Sequence, residues 1–221
     1  MTAELKKPDL VIWDWDGTLV NTAPIIYEAH NYVRVAMGFD AWSESEFKEI
    51  SYYSTDEIYP KLYGENVDDA KRILYDFFDR YDPVNTPFLN GSHDVVSYLS
   101  SHDVPMVIVS NKQDHVLQKE LAVASFRDGF LSAVGAGAAS KDKPHADPVL
   151  LAIEKAGISN DLEHVWFIGD TQTDVDCARS LDFSVVSIIL GDLDSQKGVR
   201  GYDFEYPSLP LFLKSISNLF E

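Results

Sequence analysis

Leu10-Val11-Ile12-Trp13-Asp14-Trp15-Asp16-Gly17-Thr18-Leu19-Val20 sets four uninterrupted apolar residues directly before two carboxylates and a glycine. An apolar run of this length suits a parallel strand covered on both faces. It stops at Asp14. By itself, Asp16-Gly17 is an ordinary turn signal after a strand. A calcium loop beginning at Asp14 would need Glu at its twelfth position, which is Ile25, so that reading is rejected.

The same pattern recurs along the chain. Met106-Val107-Ile108-Val109 ends in Ser110, Val165-Trp166-Phe167-Ile168 ends in Gly169-Asp170, and Val185-Val186-Ser187-Ile188-Ile189 ends near Gly191. Helical patterns alternate with these strands at Val95 to Leu99, Val116 to Ala124 and Asp147 to Ala156. The last has an Asp cap, Pro148 at its first helical position and Gly157 just past its end. A closing helix is expected over Leu209 to Phe220. Such alternation predicts an α/β fold with a doubly wound, Rossmann-like parallel sheet. Residues 20–86 break the rhythm with helical patterns alone, among them Ile25 to Met37 and Asp68 to Arg80. Ser43-Glu44-Ser45-Glu46 and Ser54-Thr55-Asp56-Glu57 have the form of capping boxes. The predicted organisation is a core of residues 1–19 and 87–221, with a helical cap domain, 20–86, inserted after the first strand.

Asp and Glu number 36 against 18 Lys and Arg, a formal charge of −18. That field repels nucleic acid and anionic membranes and favours cations. A phosphorylated ligand then needs a local device, a metal ion or a placed lysine. Cys177 is the only cysteine, which excludes an internal disulfide and a thiolate metal cluster. Met1 to Leu10 lacks the apolar run of a signal peptide, and no stretch approaches the roughly 18 apolar residues of a membrane helix. A cytoplasmic location is therefore expected. Asn90-Gly91-Ser92 is expected to be a turn rather than a glycosylated site. The six histidines show no metal-ligand spacing.

Asp14, Ser110 and Asp170 each follow a predicted strand, and binding crevices of open α/β sheets lie at that edge. Four short motifs converge there: Asp14-Trp15-Asp16-Gly17-Thr18, Ser110-Asn111-Lys112, Lys143-Pro144, and Gly169-Asp170-Thr171-Gln172-Thr173-Asp174. Singly, each has a plain alternative. Ser110-Asn111 could cap the next helix, Lys143 could be a solvated charge, and Asp170 and Asp174 could be acidic residues favoured by a helix N-terminus.

Taken together, their order and spacing resemble the haloacid dehalogenase superfamily from about Asp9 onward. Asp16-Gly17-Thr18-Leu19-Val20-Asn21-Thr22-Ala23-Pro24 and Ser110-Asn111-Lys112 are similar to its phosphoglycolate phosphatase-type branch, whose members carry a helical cap. The resemblance implies magnesium-dependent hydrolysis of a small phosphorylated metabolite through an aspartyl-phosphate. It implies Asp14 as nucleophile and Asp16 as acid/base. It also implies metal binding by Asp14, the Asp16 backbone carbonyl and Asp170, with Asp174 acting through water. Gly17, Ser110, Asn111 and Lys143 are expected to contact the substrate. Asp16 argues against relatives whose leaving group needs no proton, the dehalogenases and phosphonoacetaldehyde hydrolases.

Some positions depart from the family pattern. Trp13 and Trp15 flank the nucleophile where smaller residues are usual, and packing roles are expected for both. Ile25 and Ile26 stand where phosphosugar mutases of the β-phosphoglucomutase type place a histidine, which favours a hydrolase over that alternative. A non-catalytic module that only binds a phosphorylated ligand is the other alternative. Ile50-Ser51-Tyr52-Tyr53-Ser54-Thr55 lacks the glycines usual in phosphoglycolate phosphatases and is expected to choose the substrate.

Overall fold

In the computed structural model, β1 (Leu10–Trp13) lies inside a parallel six-stranded sheet with the order β3-β2-β1-β4-β5-β6. The structure describes residues 5–220 apart from 51–54, 84–85, 160–161, 182–184 and 191–197. The other strands are β2 (Met106–Gln113), β3 (Ser132–Ala136), β4 (Val165–Gly169), β5 (Val185–Leu190) and β6 (Phe204–Tyr206). Helices α5 (Ser92–Ser101), α6 (Asp114–Val123), α7 (Asp147–Ala156), α8 (Gln172–Arg179) and α9 (Leu209–Ile216) flank the sheet. The chain divides into two compact units, Met1–Asn21 with Pro83–Glu221, and Thr22–Asp82.

Alternation along each central strand explains the unbroken apolar runs. Val11, Trp13, Met106, Ile108, Trp166 and Ile168 enter one apolar cluster with Val95, Leu99 and Phe212 from α5 and α9. Leu10, Ile12, Val107, Val109, Val165 and Phe167 enter a second with Val149, Ile153 and Cys177 from α7 and α8. Successive side chains point to opposite faces, and here both faces are dry. The strand order reverses between β1 and β4. In open α/β sheets ligands bind at such a switch point, outside the carboxyl ends of the flanking strands.

Three features differ from the sequence expectation. β2 continues through Ser110, Asn111 and Lys112 to Gln113, with a register shift against β3 after Val109. Its polar second half carries no apolar signal, although the backbone stays extended. β3 (Ser-Ala-Val-Gly-Ala) and β6 were not anticipated, the first because its residues are small, the second because it is three residues long and half-buried. In α7, Ala146 occupies the cap position and Asp147 the first turn, where its carboxylate accepts from the Ser140 hydroxyl instead. Gly157 ends that helix at φ 66°, the left-handed conformation expected there.

The second unit contains α1 (Ala23–Ala36), α2 (Glu44–Ile50), α3 (Thr55–Tyr63) and α4 (Val67–Arg80) around Ala29, Val33, Ile58, Tyr59, Tyr63, Ala70 and Leu74. Ser43 caps α2 reciprocally: Ser43 N donates to Glu46 Oε2 at 2.8 Å, and Glu46 N donates to Ser43 Oγ at 3.3 Å. His30 bonds the Tyr59 hydroxyl at 2.9 Å, and burial lowers its pKa to about 4. Ser54 of the second capping box and the Ser51–Ser54 part of the segment expected to choose the substrate lie outside the described residues, as does Gly191. Among the described residues, no helix is long and apolar enough to cross a membrane.

Candidate active site

Pairing of β1 with β4, Trp13 opposite Ile168, carries Asp14 and Asp170 off adjacent strand ends together. Asp14 N donates to Ile168 O at 2.8 Å, extending the ladder by one bond. The chain then folds back on itself. Leu19 N and Val20 N both donate to Trp15 O, at 2.9 and 3.0 Å, and Gly17 N donates to Val20 O at 2.8 Å. Gly17 has φ +76°, and a Cβ there would strike the Asp170 carboxylate. Glycine is therefore required twice, by backbone conformation and by space. Thr18 Oγ1 reaches Asp170 Oδ1 at 3.2 Å and ties the loop to β4.

Lys143 closes the cluster from the far side. Its Nζ stands 2.6 Å from Asp14 Oδ1 and 2.6 Å from Asp174 Oδ1, and all three side chains are buried. Asn111 fixes this lysine's backbone, donating from Nδ2 to Lys143 O at 2.9 Å. Asp174 is held just as firmly. Its Oδ2 accepts from Asp170 N at 3.2 Å, Thr171 N at 3.0 Å and Thr171 Oγ1 at 2.7 Å, within a capping box that starts α8.

Ligand atoms of Asp14, Asp170 and Asp174 all lie within 4.8 Å of one another. Three carboxylates with one ammonium leave excess negative charge in a buried place. Burial first, then the Asp174 charge, push the Asp14 carboxyl up to about 7 in spite of Lys143. Burial, then Asp14 and Asp174, likewise hold Asp170 well above the usual carboxylate range. Burial alone would lower the Lys143 pKa, but the Asp14 and Asp174 carboxylates carry it above the usual lysine value. An all-oxygen donor set short of positive charge fits a hard divalent cation such as magnesium.

The residues singled out from the sequence take distinct places here. Asp14, Lys143, Asp170 and Asp174 form one connected cluster. Ser110, buried on β2, accepts from Lys112 N at 3.2 Å. The Asp16 carboxylate meets Lys112, whose Nζ lies 2.6 Å from Asp16 Oδ1. Two expectations acquire a different physical content. The Gly17 amide is committed within its own loop, so this residue contributes room beside Asp170, and the Asn111 side chain is committed to the lysine loop.

Sequence reasoning placed Lys112 in the second motif without a role, missed Glu120, and gave Trp15 only a packing role. Lys112 Nζ also contacts Glu120 Oε2 at 2.9 Å, and Trp15 Nε1 donates to that same oxygen at 2.6 Å. Burial would lower the Lys112 pKa, yet the charges of Asp16 and Glu120 raise it. Burial raises that of Glu120 against Lys112 and Trp15. A usable signal existed: Glu120 falls on the buried stripe of α6 with Val116, Leu117 and Leu121. Cys177, also buried, donates its thiol to His145 O, and burial pushes it up to about 12.

Residues 11–188 match the family model described as haloacid dehalogenase-like hydrolase. A phosphoglycolate phosphatase of Chromobacterium violaceum is 24% identical over 200 residues, covering 86% of this chain and 89% of that protein. An N-acetylmuramic acid 6-phosphate phosphatase of Pseudomonas aeruginosa is 22% identical, with 82% and 81% covered. Among solved structures, a haloacid dehalogenase-like family protein from Streptococcus pneumoniae superposes with a TM-score of 0.76 at 17% identity, covering 94% of this chain and 98% of that one.

Proposed function

The chain belongs to the haloacid dehalogenase-like hydrolases, as a phosphoric monoester hydrolase of their phosphoglycolate phosphatase-like branch, and on that premise we propose that it cleaves a small phosphorylated metabolite with magnesium through an aspartyl-phosphate. The observation that carries this reading is the buried cluster of Asp14, Asp170 and Asp174 with Lys143 among them. The activities named for the relatives, on phosphoglycolate and N-acetylmuramic acid 6-phosphate, support the substrate class.

Asp14, Asp170 and the Asp16 backbone carbonyl would hold the metal, with Asp174 acting through water. Bound there, magnesium supplies positive charge that offsets repulsion between a carboxylate and an incoming dianion. Asp14 attacks phosphorus, forming a carboxyl–phosphate bond as the ester oxygen leaves with its electron pair. Asp16 donates the proton which that oxygen takes up. It then removes one from the water that cleaves the aspartyl-phosphate, returning Asp14 to its carboxylate. Lys143 is already beside Asp14, and with Ser110 it steadies the phosphoryl oxygens where charge spreads in the transition state. These groups recognise phosphate and metal alone, so choice among esters is assigned to the segment from Ile50 to Thr55.

A panel of small phosphate monoesters with magnesium tests the reading. We expect phosphate release from at least one, none after chelation, and recovery on adding magnesium back. Asp14→Asn should reduce turnover by at least 10³-fold, on the order seen when a nucleophile is removed. Full activity in excess chelator, or an Asp14→Asn loss of roughly tenfold or less, overturns the assignment.

A further inference from the structure

Glu120 is 1% exposed, yet it belongs to an apolar neighbourhood on α6 that includes Leu117 and Leu121. Its Oε2 meets two donors, Lys112 Nζ at 2.9 Å and Trp15 Nε1 at 2.6 Å. The first donor also holds Asp16 Oδ1 at 2.6 Å. The second belongs to the residue between Asp14 and Asp16, and its ring is fully buried against Phe88 and Phe126. One carboxylate oxygen thus grips the nucleophile loop at residue 15 directly and at residue 16 through a lysine.

Stability is a poor explanation for this arrangement. Desolvating a lysine and a glutamate commonly costs as much as their attraction returns, and apolar residues of similar volume often do better. A buried, fully bonded ion pair does hold its members in one geometry. Asp16 is the more accessible partner, with 31% of its side chain exposed. Only one of its oxygens is bound to Lys112, which leaves Oδ2 as the atom to face a leaving group.

We propose that Glu120 and Lys112 are a positioning pair that sets the Asp16 carboxyl for proton transfer, with Trp15 anchoring Glu120 to the same loop. This inference rests on the reading of Asp16 as acid/base given above. Neither residue touches phosphorus or metal. Glu120 fixes the lysine ammonium, Lys112 fixes Oδ1, and the direction of Oδ2 follows.

Leaving-group dependence separates this role from simple structural support. An alkyl alkoxide needs a proton as it departs, whereas dinitrophenolate does not. Purified wild type, Glu120→Gln, Lys112→Met, Asp16→Asn and Asp14→Asn are assayed with magnesium on an alkyl phosphate and on 2,4-dinitrophenyl phosphate. The readout is kcat/KM, which reports the first phosphoryl transfer, with thermal unfolding in parallel. Glu120→Gln and Lys112→Met should each lose roughly 30- to 100-fold on the alkyl ester, a fraction of the roughly 10²- to 10⁴-fold that general acid catalysis contributes. On the aryl ester they should lose about 3-fold or less. Asp16→Asn should show the same selectivity more strongly, and Asp14→Asn should be inert on both esters. Equal losses on the two esters, or none on either, overturn the positioning role. If Lys112→Met does not fold, Glu120→Gln decides by the same criterion, since its shape is nearly unchanged. An Asp16→Asn variant without leaving-group selectivity removes the acid/base reading itself, and the pair's role falls with it. An active Asp14→Asn variant instead identifies the nucleophile assignment as the error.

Discussion

A Cβ built on Gly17 would lie within 3.0 Å of three carboxyl atoms of Asp170, so a side chain at residue 17 and the Asp170 carboxylate compete for one space. The φ of +76° adds backbone strain for any other residue. Gly17→Ala must displace either the nucleophile loop or Asp170. We expect kcat/KM to fall by about 10²-fold, the usual cost of a misplacement near 1 Å. Magnesium affinity should weaken as well, while the far-ultraviolet circular dichroism stays native. Wild-type kinetics in Gly17→Ala would mean that the loop and carboxylate are not held against one another.

In spite of its ion pair with Lys143, the Asp14 carboxyl sets a pH dependence of stability opposite to that of a carboxylate whose pKa is lowered on folding. Its ordinary value is 3.8 and its folded value about 7. Between these the native protein binds more protons than the unfolded chain, so this group's contribution falls as pH rises from about 4 to about 7. Thermal unfolding in chelator should therefore show wild type losing stability relative to Asp14→Asn across that window. Added magnesium should flatten the difference, because a cation beside Asp14 favours its ionised form. A pH-independent difference in chelator would contradict the crowded-carboxylate account.

Legibility from sequence followed the density of the physical signal. Val165 to Ile168 and Leu10 to Trp13 are fully buried runs, and hydropathy marks such strands because both faces are dry. Ser132 to Ala136 forms an equally real strand from small residues, one of them Gly135 pressed against the Asp114 backbone, and hydropathy cannot see that. That Asp14, Lys143 and Asp170 come together was readable because their motifs have characteristic order. The pairing of Glu120 with Lys112 was not, since it joins β2, α6 and the first loop through side-chain reach alone. A glutamate on the buried stripe of α6 was the available clue. In Asn111, by contrast, the sequence offered a polar group at the right edge without its direction.

That direction yields the last test. Asn111 was expected to touch the substrate, but its Nδ2 donates to Lys143 O at 2.9 Å, across 32 residues of chain. We expect an amide so placed to act through the lysine, by holding the loop that sets Nζ beside Asp14. Asn111→Ala should reduce kcat/KM by roughly 5- to 10-fold, about the net value of one hydrogen bond. The separating measurement is a double-mutant cycle with Lys143→Met, run at enzyme concentrations high enough to follow the slow variants. If Asn111 works through Lys143, removing it from the Lys143→Met background should change kcat/KM by less than about 2-fold, because the lysine it placed is gone. Contact with the substrate in its own right would give the same fold-loss in both backgrounds. Inorganic phosphate offers a second reading as a competitive inhibitor, since its affinity should weaken in Asn111→Ala but be the same in Lys143→Met with or without Asn111. Additive losses in both measurements would return Asn111 to the substrate and leave the loop to be held by its backbone alone.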